Sequence, residues 1–278
     1  MLPNLIIIGG AKCGTSSLHY YLSRHPEIFM SYPKELDFFI EEYSWHKGVA
    51  WYESKFKAWP KTIWGEASPY YTRYPIYRGV PARMHSVIPH AKLIYILRDP
   101  MERLISQIID DLSSSDSYQD LRAALIPFET SRLVMPSLQC AQLEQYLPYY
   151  ELSRILLITA KELAQKRADA VATVFRFLGV DETFTSRDFS LELNPRSIKR
   201  ERTRWHLLVQ RILALEPGRM LPYRLGLPVR HWLMRASAPP QREPVLGSEI
   251  EARLLEVFHE DAQRLRRLTG LKLEDWCV

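Results

Sequence analysis

The sequence predicts an α/β protein: one P-loop-type domain with a central parallel sheet flanked by helices. Three observations predict it. Leu5-Ile6-Ile7-Ile8 is an unbroken apolar run closed by Gly9-Gly10, the pattern of a strand buried on both faces. Two further runs, Leu93 to Leu97 and Ile155 to Ile158, are each followed by a helical pattern, and this alternation of strand and helix is the mark of parallel α/β architecture. The chain has 278 residues, 46% of them hydrophobic, enough to build a sizeable core.

The elements follow in order. After the first strand, Thr15 and Ser16 are good helix N-cap types, Leu18, Tyr21 and Leu22 fall at helical spacing, and Pro26 lies just past an expected end near Arg24. The second run leads into Arg98-Asp99-Pro100 and a helix from Met101 to Leu112. The third leads to a helix from about Asp169 to Leu178, stopped by Gly179. Residues 216–247 hold Pro217, Pro222, Pro228, Pro239, Pro240 and Pro244 and predict an irregular excursion, packed down by Trp232, Leu233 and Met234. Ser248-x-x-Glu251 has the spacing of a capping box. It opens a helix over 248–270 with Ile250, Leu254, Val257, Phe258, Leu265 and Leu268 on one face. No polar low-complexity linker divides the chain, so residues 1–278 read as one domain.

Composition narrows the function. A formal charge of +5 suits a phosphorylated ligand as readily as a polyanion. Three cysteines without C-x-x-C spacing argue against a disulfide framework or structural zinc and for a reducing compartment, the cytoplasm. The N-terminus carries no basic stretch before its short apolar run, and no apolar run approaches the ~18 residues of a membrane span. The eight histidines show no H-E-x-x-H or paired-ligand spacing, so no metal is expected.

Gly9-Gly10-Ala11-Lys12-Cys13-Gly14-Thr15-Ser16 lies between the first strand and the first helix. A glycine-rich turn there lets backbone N–H groups curl round an anion at the positive end of a helix dipole, with the Thr15 and Ser16 hydroxyls as further donors. The Gly9-to-Gly14 spacing equals that of a Walker A loop, but that motif needs lysine directly after its second glycine. Here Thr15 stands in that place, and the lysine sits inside the loop as Lys12. Such a lysine reaches across an anhydride beyond the bound phosphate, which disfavours a Mg²⁺-clamped nucleotide γ-phosphate.

With these residues in hand, the chain resembles the sulfotransferases that use 3′-phosphoadenosine 5′-phosphosulfate (PAPS), most closely their bacterial and heparan-sulfate branch. Lys12, Gly14, Thr15 and Ser16 match the order of the family's 5′-phosphosulfate loop, which makes these residues and the enclosed Cys13 candidate donor-binding residues. Leu93 to Ile108 matches a second motif, a strand followed by Arg-Asp-Pro and a serine eight residues after the arginine. The resemblance implies that Arg98 and Ser106 hold the 3′-phosphate. Lys34-Glu35-Leu36-Asp37-Phe38-Phe39 resembles the family's Lys-Glu-Pro-His-Phe-Phe segment, and Gly65 to Tyr70 resembles the next strand end. Arg196-Ser197 opens a basic loop that covers the nucleotide in relatives, which makes Arg196 and Lys199 candidate donor ligands. Two departures weaken transfer of a polysaccharide acceptor: Asp37 replaces a common histidine, and Ala67 stands where heparan-type enzymes often place a lysine.

The resemblance implies an EC 2.8.2-type transferase that moves a sulfuryl group from PAPS to a hydroxyl or amine, releases PAP and needs no metal. Lys12 would stabilise leaving-group charge, and Glu35 would accept the acceptor's proton, with Asp37, Glu66 and His46 as fallback bases. Asp37, Glu66, Tyr70 and Tyr71 are acceptor-side candidates, the tyrosines drawn from an aromatic-rich stretch between Tyr20 and Tyr77. A soluble small molecule, a secondary metabolite or saccharide, is the expected acceptor. The competing classes are a P-loop nucleotide kinase or nucleotide-binding regulatory protein, and an RNA-binding protein using the basic run from Arg196 to Arg211. The displaced lysine speaks against the first. The absence of any RNA-module motif speaks against nucleic acid. Cys13 sits beside Lys12 near a helix start, conditions that lower a thiol pKa, but packing of a small side chain in the loop is the favoured reading over a redox role.

Overall fold

The computed structural model describes every residue except 57–60, 115–119, 194, 196–197, 202 and 215–222. The three apolar runs form β1 (Leu5–Gly9), β4 (Lys92–Leu97) and β5 (Ile155–Thr159). Two further strands join them, β2 (Ile28–Met30) and β3 (Ile63–Ala67). The sheet is parallel throughout, in the order β2-β3-β1-β4-β5. The two edge-side strands are less visible in the sequence for physical reasons. β2 is three residues long, and β3 carries Gly65 and Glu66 in its interior.

The α/β class is therefore confirmed, and β1 shows why its run is apolar throughout. Leu5 and Ile7 pack with Ile94 and Ile96 against Leu18 and Leu22 of α1 (Thr15–Leu22) and Val174 and Phe175 of α8 (Arg167–Leu178). Ile6 and Ile8 face the other way, into a cluster with Tyr95, Leu97, Tyr52, Tyr71 and Tyr146. That second face is covered by α2 (Gly48–Glu53), α3 (Val80–Val87), α6 (Gln139–Glu144) and part of α11 (Ser248–Thr269). A third cluster joins Leu104 and Ile108 of α4 (Pro100–Ser114) to Leu125 of α5 (Leu121–Leu125) and to Leu254 and Phe258 of α11.

Several boundaries differ from the sequence reading. Gly14, at φ 100°, is the N-cap of α1, so Thr15 and Ser16 begin the helix rather than cap it. Gly247 precedes α11 without a side-chain cap. The capping box lies instead at Thr159 and Glu162, opening α7 (Ala160–Gln165). Gly179 ends α8 at φ 79°, as expected.

After α9 (Arg204–Ala214), the proline-rich stretch holds a helix, α10 (Tyr223–Ser237), with Pro228 inside it. Pro239, Pro240 and Pro244 lie beyond its end, and Pro217 and Pro222 lie outside the described residues. A single interior proline removes one backbone donor and is tolerated at that cost. Trp232 is 66% exposed rather than packed down, and Leu268 of α11 is exposed as well. Lys199 and Glu201 are tied to the chain after α10: Gln241 N–H donates to Lys199 O at 3.1 Å and Glu201 N–H to Pro239 O at 3.1 Å.

Candidate active site

The loop after β1 is shaped by glycine where glycine is required. A Cβ on Gly9 would stand 2.0 Å from Thr72 Oγ1, so no side chain fits. Gly10 N–H donates to Ile96 O on β4 at 2.9 Å, and Cys13 N–H donates to Gly10 O at 3.1 Å. Lys12 turns the chain at φ 69° and Gly14 at φ 100°. Gly14 offers no side-chain cap to α1, so the first N–H groups of the helix remain for a ligand, at its positive dipole end.

The tip of the neighbouring strand supplies the second half. Arg98 N–H donates to Gln139 Oε1 at 2.9 Å, and Gln139 Nε2 donates back to Arg98 O at 2.5 Å, which fixes the backbone. The Arg98 guanidinium donates to Lys12 O at 2.9 Å and to Glu102 Oε2 at 3.2 Å, tying the two strand tips together. Asp99 has a scaffolding role: one carboxylate oxygen accepts from Glu102 N–H at 2.9 Å and the other from Cys277 N–H at 2.6 Å. Ser106 lies two turns along α4.

These groups line one cleft of about 780 Å³, at the carboxyl ends of β1 and β4, where the strand order reverses and α/β sheets bind ligands. Lys12, Cys13, Gly14, Thr15, Ser16, Arg98, Ser106 and Lys199 all border it. Lys12 Nζ lies 2.8 Å from Asp110 Oδ1 on α4, and Lys199 Nζ pairs with the same oxygen. Burial lowers the Lys12 pKa and the nearby Lys199 lowers it further, while Asp110 opposes both. Burial pushes the Asp110 carboxyl up, but the two ammonium groups outweigh it and hold it below its ordinary value.

Glu35 and Tyr70 border the same cleft. Glu35 adopts φ 66°, its N–H donates to Ala67 O at 3.1 Å, and its carboxylate pairs with Lys34. Asp37, Glu66 and Tyr71 do not border it. Asp37 N–H donates to Ser68 Oγ at 3.0 Å, and burial, helped by Glu35, pushes its carboxyl up to about 6. Glu66 is fully buried and accepts from Tyr71 OH at 2.7 Å and Tyr52 OH at 3.0 Å. Burial pushes its carboxyl up to about 8, so at neutral pH it is predominantly protonated. Tyr71 is spent on that bond, inside the core. His46 is exposed, away from the cleft.

The Cys13 thiol is raised to about 11, since burial outweighs the lowering by Arg103, Arg98 and Lys12, so it is a packing residue. Arg196 lies outside the described residues. Among the described residues no group of three or more His, Cys, Asp or Glu could hold a metal, and no helix is long and apolar enough to cross a membrane. The sequence reading missed Asp110 and Arg73. Arg73 donates to Gln107 Oε1 at 3.1 Å, and its guanidinium lies 3.9 Å from the Tyr70 ring centre. Nothing in the local sequence sets either apart, since each is brought to the cleft by the packing of its element.

A glycine turn, an uncapped helix start, a loop lysine and a strand-end arginine meet in one cleft of a P-loop-like α/β fold. The model of the family described as "Sulfotransferase domain" matches residues 2–204. Human heparan sulfate glucosamine 3-O-sulfotransferase 6 is 31% identical over 194 residues, 67% of this chain and 55% of that protein. Human bifunctional heparan sulfate N-deacetylase/N-sulfotransferase 2 is 26% identical over 199 residues, 64% of this chain and 22% of that protein. The chain belongs to the sulfotransferase domain family, and it spans about half or less of the length of these curated relatives. A sulfotransferase structure from Alicyclobacillus acidocaldarius shares the fold over 99% of both chains, at 24% identity and a TM-score of 0.70.

Proposed function

We propose that the protein is a PAPS-dependent sulfotransferase, residues 1–278 forming one domain, that sulfates a hydroxyl or amine of a soluble small molecule in the cytoplasm. The observation that carries this reading is the convergence of Lys12, the open N-terminus of α1, Arg98 and Ser106 on one cleft. The residues present fit PAPS. Gly14 leaves the helix start uncapped, and Lys12, Arg98 and Lys199 supply charge around it. Bound PAPS would supply the sulfuryl group on a phosphate leaving group.

The chain's own residues do the remainder. The first N–H groups of α1 with Thr15 and Ser16 bind the 5′ end, and Arg98 with Ser106 binds the 3′-phosphate. Lys12 places an ammonium where negative charge grows on the leaving oxygen. Glu35 takes the acceptor's proton at its carboxylate, a choice supported by its place on the cleft, which Asp37 and His46 lack and which buried Glu66 cannot reach. Tyr70 and Arg73 orient the acceptor. A small acceptor is supported by Ala67 and Asp37, which depart from the polysaccharide-modifying pattern, and the cytoplasm by free Cys13, Cys140 and Cys277.

Calorimetry with PAP and with adenosine 5′-monophosphate tests the reading. PAP is expected to bind at least tenfold more tightly, because only PAP engages Arg98 and Ser106. Equal affinities would overturn the two-phosphate assignment.

A further inference from the structure

We infer that Asp110 is a positioning residue for the nucleotide: it holds Lys12 and Lys199 in the free protein and gives Lys12 up to the arriving anion. The inference rests on the proposed sulfotransferase reading and extends it to a residue outside the two phosphate motifs. Three separate elements meet at one carboxylate oxygen. Lys12 comes from the loop after β1, Asp110 from α4 one turn beyond Ser106, and Lys199 from the segment between α8 and α9. All three side chains border the nucleotide cleft and are three-quarters buried, at 21%, 27% and 25% exposure respectively.

The geometry makes the carboxylate and the nucleotide competitors. An ammonium held 2.8 Å from Asp110 Oδ1 is charge-compensated before any phosphate arrives. For Lys12 to serve an anionic ligand it must loosen that pair, and the Asp110 charge then stands near the ligand with the same sign. Asp111 follows on the same helix and acts on Lys12 in the same sense, although more weakly. Lys199 can stay on Asp110 while Lys12 leaves, so the segment from 198 to 201 need not shift. Asp110 thus weakens nucleotide binding, and when PAP departs the carboxylate takes Lys12 back and speeds release.

The test is the PAP dissociation constant and dissociation rate for the full chain and for Asp110→Asn, Asp110→Glu, Lys12→Met and the Asp110→Asn/Lys12→Met pair. Asp110→Asn is expected to bind PAP about tenfold more tightly, with a slower dissociation rate, since a competing charge is removed. Asp110→Glu should stay within about threefold of the parent, and on the Lys12→Met background the Asn effect should shrink to less than about threefold. Mere structural damage would weaken binding, so a gain separates positioning from scaffolding. Unchanged or weaker PAP binding in Asp110→Asn, with Lys12→Met still weakening it, would overturn the inference and leave the donor site intact. Undiminished binding in Lys12→Met would instead fault the donor-site reading itself.

Discussion

Replacing Glu66 by Gln should change how stability depends on pH. The carboxyl is fully buried, bonded to two tyrosine hydroxyls, and pushed from 4.5 to about 8. Below pH 4.5 it is protonated in both native and unfolded chains and contributes no pH dependence. Between 4.5 and about 8 the unfolded chain has released the proton and the native state has kept it, so stability falls as pH rises. The slope approaches ~1.4 kcal/mol per pH unit for one retained proton, or roughly 3 kcal/mol between pH 5.5 and 7.5. A glutamine oxygen still accepts from both tyrosines and has no proton to lose. Urea unfolding of parent and Glu66→Gln at those two pH values should therefore show the variant gaining on the parent by about 2–3 kcal/mol as pH rises. Asp37 and Asp261, both raised to about 6, slope in the same direction but are present in both proteins. Parallel pH profiles would refute a protonated Glu66.

Lys12→Ala should lower turnover about a hundredfold or more, the scale of losing one preorganised donor to developing charge; single-turnover rates check this. Arg98→Ala should weaken PAP binding by about 2–5 kcal/mol, as expected for a truncated charged contact in a binding site, while adenosine 5′-monophosphate binding changes far less. Glu35→Gln should bind PAP normally and transfer slowly, with the rate's dependence on carboxylate ionisation lost; an unaltered pH–rate profile would assign the proton to another group.

The parallel sheet was legible through three of its strands because β1 and β4 are buried on both faces, and β5 buries Ile155 and Ile158 with Leu156 and Leu157 half-buried, so each carries an unbroken apolar run. The phosphate loop was legible because its glycines and lysine are contiguous between a strand and a helix. β2 was too short to register, and α10 was hidden because proline content reads as irregularity even when only Pro228 falls inside the helix. Among the tyrosines, sequence nearness misled. Tyr70 and Tyr71 are neighbours, yet one borders the cleft and the other is bonded into the core. Asp110 and Arg73 were invisible because a charged residue on a helix or after a turn looks solvated until its neighbours in space are known.

The backbone link between Lys199 to Glu201 and Pro239 to Gln241 bears on how the protein should be cut for experiment. The match to the family model ends at residue 204, and a fragment stopped there would keep every motif residue yet lose the partner that steadies Lys199. Its missing grip would be mistaken for weak chemistry, when the fault lay in where the chain was trimmed.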